Sequence, residues 1–319
     1  MPNSVKITSK IGNFKKTIRV SGDKSISIRW VLFSSLANGI SKAKNLLISE
    51  DVLATIQAIK KLGIKSNFKN NQFTIYGKGI EGYKYKKNLE INAENSGTLG
   101  RLLLGLVINT HYPIKLIGDK SLSKRDFKRI SDPLSKFGAK FKLKKNKNLP
   151  LTIKGSSNLT PIKYLESKGS AQCKSSVIFA AMRSNGTTYI KAKKSRNHTE
   201  LMCRYLKLPV KVKKKENYDE IKIKKVQFIK PLNYNIPSDI SSSAFFIVLA
   251  ALSNNSKLLI KNVNINPSRI GIITKKLIEG GMDKSMPVAV WSQSQTISVI
   301  NVAVMASIGF MIFLCSSDN

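Results

Sequence analysis

The stretch S-G-D-K-S-I-S-I-R, Ser21 to Arg29, runs directly into Trp30-Val31-Leu32-Phe33 and then Leu36-Ala37. An apolar run of this length without strand alternation predicts a buried helix. Its first turns nevertheless carry Lys24, Ser25 and Arg29, and packing alone gives a buried helix no use for two cations. The pattern recurs three times: N-S-G-T-L-G-R-L-L-L-G-L from Asn95, K-G-S-A-Q-C-K-S-S-V-I-F from Lys168, and P-S-D-I-S-S-S-A-F-F-I-V from Pro237. Each copy passes from small or hydroxyl residues into an apolar helix.

A strand-like segment follows each helix: Ala43–Leu47, Ile114–Ile117, Thr188–Lys191 and Leu258–Lys261. A second, amphipathic helix comes next, opening with S-E-D-V (Ser49), S-K-R-D (Ser123), S-R-N-H (Ser195) and P-S-R-I (Pro267). These helices end near Leu62-Gly63, Phe137-Gly138, Leu206 and Gly280-Gly281. Alternating runs such as Gln72–Tyr76 and Tyr218–Ile223 read as hairpin strands. The anchors Gly22, Asn95, Gly169 and Ser238 are 73, 74 and 69 residues apart. A near-constant offset with the same internal order indicates duplicated βαβαββ units, an α/β (α+β) architecture.

If the units pack side by side, their first helices start on one face. Helix N-termini present unpaired N–H groups and the positive end of the dipole, a setting for anions. Ser25, Thr98, Ser170 and Ser241 can cap those turns. Capping does not account for Lys24 with Arg29, for Arg101, or for Arg125 and Arg196 at second-helix starts. Such a cluster of cations predicts a ligand with several negative charges, phosphate together with carboxylate.

The chain has 319 residues, enough for two cores, and 55 Lys+Arg against 18 Asp+Glu give a formal charge of +37. That charge suggests nucleic acid, but it is nearly all lysine, spread along the chain with few interleaved aromatics and no nucleic-acid-binding motif. The nine arginines stand out against this background as sites for a fork-shaped, permanent donor. Cys173, Cys203 and Cys315 show no paired spacing, and no signal peptide opens the chain, which points to the cytoplasm. With His111 and His198 the only histidines, no metal site is expected.

The segments G-D-K-S-I-S-I-R, N-S-G-T-L-G-R-L-L, G-D-K-S-L-S-K-R, G-S-A-Q-C-K-S, S-R-N-H-T-E and N-I-N-P-S-R-I-G together resemble the 5-enolpyruvylshikimate-3-phosphate synthase family, the 3-phosphoshikimate 1-carboxyvinyltransferases. They stand in that family's order and cover about residues 6 to 284. The related UDP-N-acetylglucosamine enolpyruvyl transferases fit G-S-A-Q and S-R-N-H-T-E less well. The resemblance implies the enolpyruvyl transferase inside-out α/β barrel, with six units in two domains and substrates between them. It implies transfer of the enolpyruvyl group of phosphoenolpyruvate to the 5-hydroxyl of shikimate 3-phosphate, with release of phosphate, by a monomer that needs no cofactor and no nucleic-acid or membrane partner.

By position, the resemblance gives Lys24 contacts to both substrates, and gives Ser25 and Arg29 contacts to shikimate 3-phosphate. Asn95 and Gly97 approach phosphoenolpyruvate through the backbone, and Arg125 grips its phosphate. Ser170, Ala171 and Gln172 line the shikimate 3-phosphate site, with Gln172 also reaching phosphoenolpyruvate. Ser195 and Arg196 take the shikimate phosphate. Two positions depart from the family: Ile28 replaces a histidine, and Asp126 replaces a proline, setting a carboxylate beside Arg125.

Four of the six units are expected here. Residues 22–237 form a complete three-unit domain, and residues 1–21 with 238–284 form an incomplete one. Residues 285–319 read as an apolar tail outside the family, with Asp318 the one charged residue. The run Thr296–Cys315 is long enough to span a bilayer but lacks basic flanks and an aromatic belt. The family's acid–base carboxylate is not found, so its catalytic residue is left unassigned. A remnant that binds shikimate 3-phosphate without turnover is the alternative, and a basic nucleic-acid-binding protein a more distant one.

Overall fold

Hydrogen-bonded strand pairs draw the repeat directly in the computed structural model, which describes residues 12–253, 255–269 and 300–303. In the second repeat, β5 (Leu89–Asn92) lies parallel to β6 (Ile114–Ile117), and β6 pairs antiparallel with β8 (Asn148–Lys154). The edge strand β7 (Lys140–Lys144) completes the order β5-β6-β8-β7. Parallel neighbours need a crossover, which α3 (Gly97–Leu106) supplies, and α4 (Lys120–Ser123) and α5 (Lys128–Ser135) lie between β6 and β7. The third repeat follows the same plan with β9 (Lys163–Glu166), α6 (Ala171–Ala181), β10 (Thr187–Lys193), α7 (His198–Tyr205), β11 (Val210–Lys214) and β12 (Tyr218–Lys224).

The first repeat has α1 (Lys24–Ser35), β2 (Asn38–Lys44), α2 (Glu50–Lys61), β3 (Lys65–Lys69) and β4 (Gln72–Lys78). Its leading parallel strand comes from the far end of the third repeat: β13 (Asn233–Asn235) pairs with Lys42–Lys44 of β2. The Asp23 N–H donates to the Pro237 carbonyl at 2.8 Å, and Asn45 Nδ2 to the Ile236 carbonyl at 2.9 Å. Residues 22–237 thereby close into one compact unit. The second unit, residues up to 21 and from 238 onward, has the same borrowing: β1 (Lys15–Ile18) lies parallel to β14 (Lys257–Ile260), with α8 (Ile240–Leu252) leading into β14.

The tail read as having no partner supplies a strand. β15 (Ile300–Ala303) pairs antiparallel with β14, in the place that β12 takes beside β10. Its sequence signal is weak, because only Asn301 interrupts the apolar residues Ile300, Val302 and Ala303 within a long apolar run. The expected helix end at Gly280-Gly281 lies outside the described residues.

The helices that open each repeat are the core of the 22–237 unit. Every residue of α1 from Ile26 to Ser35 is buried, as is every residue of α6 from Cys173 to Ala181. That explains why apolar residues recur on every side of these helices. α3 and α6 touch backbone to backbone, because a Cβ on Gly105 would lie 2.1 Å from the Ser176 carbonyl oxygen. Only glycine permits that approach. Of the second helices, α2 buries one face and turns its charged residues outward, whereas α7 exposes Arg204 and buries Glu200.

Candidate active site

The caps differ from expectation. Of Ser25, Thr98, Ser170 and Ser241, only Ser170 caps its helix, its Oγ accepting from the Cys173 N–H at 3.2 Å. α1 is capped by Asp23, α3 by Ser96 and α8 by Asp239. The cap is the last residue with extended backbone, and in each of those three helices that residue precedes the expected hydroxyl by two positions. Freed from capping, the Thr98 Oγ1 accepts from Gln172 Nε2 at 3.0 Å, joining the starts of α3 and α6. The S-K-R-D segment also differs: Ser123 ends the short α4, and Arg125 sits in the link to α5 rather than in its first turn.

Two groups of predicted residues come together. The first surrounds the start of α3. Arg125 donates to the Asn95 Oδ1 at 3.3 Å, and Asn95 Nδ2 donates to Asp119 Oδ2 at 2.7 Å. Arg101 donates to Gln172 Oε1. A Cβ on Gly97 would lie 2.8 Å from Arg125 Nη1 and 2.9 Å from Arg101 Nη1, so the missing side chain is what lets two guanidiniums close over this turn. Burial holds the Arg101 guanidinium below its usual pKa, and the nearby Arg125 and Arg129 charges push it further down. Three like charges gathered at one helix start favour an anion among them. Asp126 does not disarm Arg125: its Oδ1 accepts from the Lys128 N–H at 2.8 Å, and no ion pair to Arg125 exists among the described residues.

The second group centres on Arg29, which is 3% exposed. Its Nε donates to Thr199 Oγ1 at 2.7 Å, Nη1 to the Ser25 carbonyl at 3.0 Å, and Nη2 to Ser175 Oγ at 3.1 Å. Ser175 and Thr199 are themselves 2.7 Å apart, linking α6 to α7. A guanidinium has five N–H donors, so two remain for an incoming oxyanion. Burial lowers the Arg29 pKa to about 10; Glu200 and Asp23 oppose that shift, and Arg196 adds to it. Glu200, the acid with the largest effect on Arg29, is engaged elsewhere: Lys174 Nζ lies 2.7 Å from Glu200 Oε1, with both side chains buried.

The remaining predicted residues surround these groups. Ala171 opens α6 after Ser170, whose N–H donates to Glu166 Oε2 at 2.8 Å. Arg196 is exposed just ahead of α7, and the Ser195 hydroxyl is buried without a hydrogen bond. Lys24 reaches across to Asp51 Oδ2 at 3.2 Å. Ile28, at the departure from the family pattern, is fully buried in the core. Sequence reasoning missed Ser175, Thr199, Lys174 and Glu200. Polar residues at wholly buried positions look the same in sequence as those on solvated faces.

The EPSP synthase (3-phosphoshikimate 1-carboxyvinyltransferase) family model matches residues 8–314. The match runs past Asp283, where the sequence motifs end, and takes in β15. The chain is similar to the 3-phosphoshikimate 1-carboxyvinyltransferase of Streptococcus agalactiae serotype III, with 39% identity over 92% of this chain and 68% of that protein. The namesake from Caldicellulosiruptor bescii is 43% identical over 80% of this chain and 58% of its own length. Among solved structures, an EPSP synthase from Acinetobacter baumannii superimposes with a TM-score of 0.82 and 34% identity, over 92% of this chain and 66% of that one. The chain thus spans about two thirds of the length of such relatives.

Proposed function

The chain belongs to the EPSP synthase family, and from that premise we propose that residues 22–237 hold shikimate 3-phosphate and phosphoenolpyruvate for enolpyruvyl transfer. In the net reaction the 5-hydroxyl oxygen bonds to C2 of the enolpyruvyl group and the bond from C2 to the phosphate oxygen breaks. The hydroxyl proton leaves with the phosphate. Both substrates carry a phosphate and a carboxylate, and the two cation groups of this unit suit such ligands.

The observation that carries the proposal is Arg29, a buried guanidinium with neutral protein partners and two N–H donors left over. Taking a charge out of water without a counter-ion is costly, and a bound anion relieves that cost. Arg29, Ser25, Ser170, Ala171, Ser195 and Arg196 are assigned to shikimate 3-phosphate. Asn95, Gly97 and Arg125 are assigned to phosphoenolpyruvate, with Lys24 and Gln172 serving both. Arg101 belongs with the second set, since it shares Gly97 with Arg125.

The test is phosphate release with both substrates present. Phosphate should appear with shikimate 3-phosphate and phosphoenolpyruvate together and not with either alone. Release no faster than the uncatalysed blank, with the folded chain at high concentration, would refute the transfer.

A further inference from the structure

We infer that Lys174 is a positioning residue for substrate binding, because it holds the Glu200 carboxylate away from Arg29 and so keeps that guanidinium available for an anion. The inference deepens the proposed reading of the site and rests on it for the identity of the ligand.

Lys174 and Glu200 are adjacent in sequence to Ser175 and Thr199, the two residues that hold Arg29. The four make consecutive links between α6 and α7: Lys174 to Glu200 at 2.7 Å, and Ser175 to Thr199 at 2.7 Å. The exposure of the first pair is 0% for the lysine side chain and 5% for the glutamate. A buried carboxylate demands a cation. Two cations offer themselves to Glu200: Lys174 at 2.7 Å, and Arg29, whose Nε donates to the adjacent Thr199 at 2.7 Å. The structure resolves the choice in favour of Lys174, and among the described residues Arg29 forms no ion pair. Without the ammonium of Lys174, Glu200 would turn to the Arg29 guanidinium held by the adjacent Thr199. A carboxylate–guanidinium pair there would occupy the donors that an oxyanion needs.

The experiment compares Lys174→Met with Lys174→Met/Glu200→Gln by calorimetry against shikimate 3-phosphate and against phosphoenolpyruvate. The single variant should bind shikimate 3-phosphate at least about tenfold more weakly, the scale of one lost charge-assisted contact. Its phosphoenolpyruvate affinity should stay close to wild type, which a general loss of packing would not allow. The double variant, with no carboxylate left to capture Arg29, should recover shikimate 3-phosphate binding. Wild-type affinity in the single variant, or no recovery in the double, would overturn the inference. If Lys174→Met is too unstable to assay, Lys174→Gln keeps a donor toward Glu200 without the charge and is held to the same outcomes. A readout without ligand separates this inference from the identity of the ligand. The Arg29 Cζ resonance, followed by NMR through alkaline pH, should titrate higher in the single variant than in wild type, and return in the double. An unchanged titration would also overturn it, whatever the ligand proves to be.

Discussion

A single methyl group at Gly97 tests the arginine cluster at the start of α3. An alanine Cβ would press on Arg125 Nη1 and Arg101 Nη1, both the far ends of flexible side chains. The fold should therefore tolerate Gly97→Ala, with Tm little changed, while the guanidiniums swing away from their present convergence. Phosphoenolpyruvate affinity should fall by about 1.5–3 kcal/mol, the cost of one hydrogen bond to a charged group. Arg29 makes a second prediction, in pH. Its pKa of about 10 lies below the ordinary 12.5, so between those values the unfolded chain binds more protons and this residue's contribution to stability rises with pH. Anion binding has the opposite sign, because it needs the protonated form. Shikimate 3-phosphate affinity, followed by calorimetry, should be fully present below about pH 10 and decline above it. At this scale the sequence was partly legible. Arg29 announced itself as a cation in the first turns of an apolar helix and Arg125 as one near a second-helix start, while Gln172 came only with the family resemblance. Asp23 and Ser96 did not, because a cap is defined by backbone angles that three neighbouring polar residues could each have adopted. Lys174 was hidden among many lysines, and only burial sets it apart.

Equivalent positions in different elements meet different surroundings. Six residues after its cap, α3 carries Leu102, fully buried, and α8 carries Phe245, 80% exposed. Leu102→Ala should cost about 2–5 kcal/mol in the unit that holds it. Phe245→Ala should stay within about 0.5 kcal/mol despite removing a larger side chain. Chemical denaturation of each variant checks the contrast, and equal losses would mean that equivalent repeat positions are packed alike after all. The edge strands explain much of the lysine. β3, β7 and β11 each lie at the margin of a sheet, and each exposes lysines: Lys65 and Lys69, Lys140 to Lys144 on alternate residues, and Lys211, Lys213 and Lys214. Charged edges discourage pairing with another chain. Helices and hairpins were legible because their periods are strong. The strands β1 and β13 were not, since four residues and three residues carry no readable alternation and each pairs with a partner distant in sequence.

For the whole molecule, repeat order was legible and chain closure was not. Four anchors at near-equal spacing announced the duplicated units, whereas nothing local says that the first repeat takes its leading strand from residues 233–235. The exchange matters because it ties Asp23, the cap of α1, to Pro237, and so fixes the helix that carries Lys24, Ser25 and Arg29. The formal charge of +37 is mostly lysine, while the proposed chemistry is assigned to a few buried or converging arginines. Calorimetric titration of the full chain with shikimate 3-phosphate, set against shikimate without its phosphate, tests this most directly. The account predicts saturable binding of shikimate 3-phosphate, binding of shikimate weaker by at least about a hundredfold, and loss of that difference in Arg196→Ala and Arg29→Met. Equal binding of the two ligands, or no binding of either by the folded chain, would contradict it.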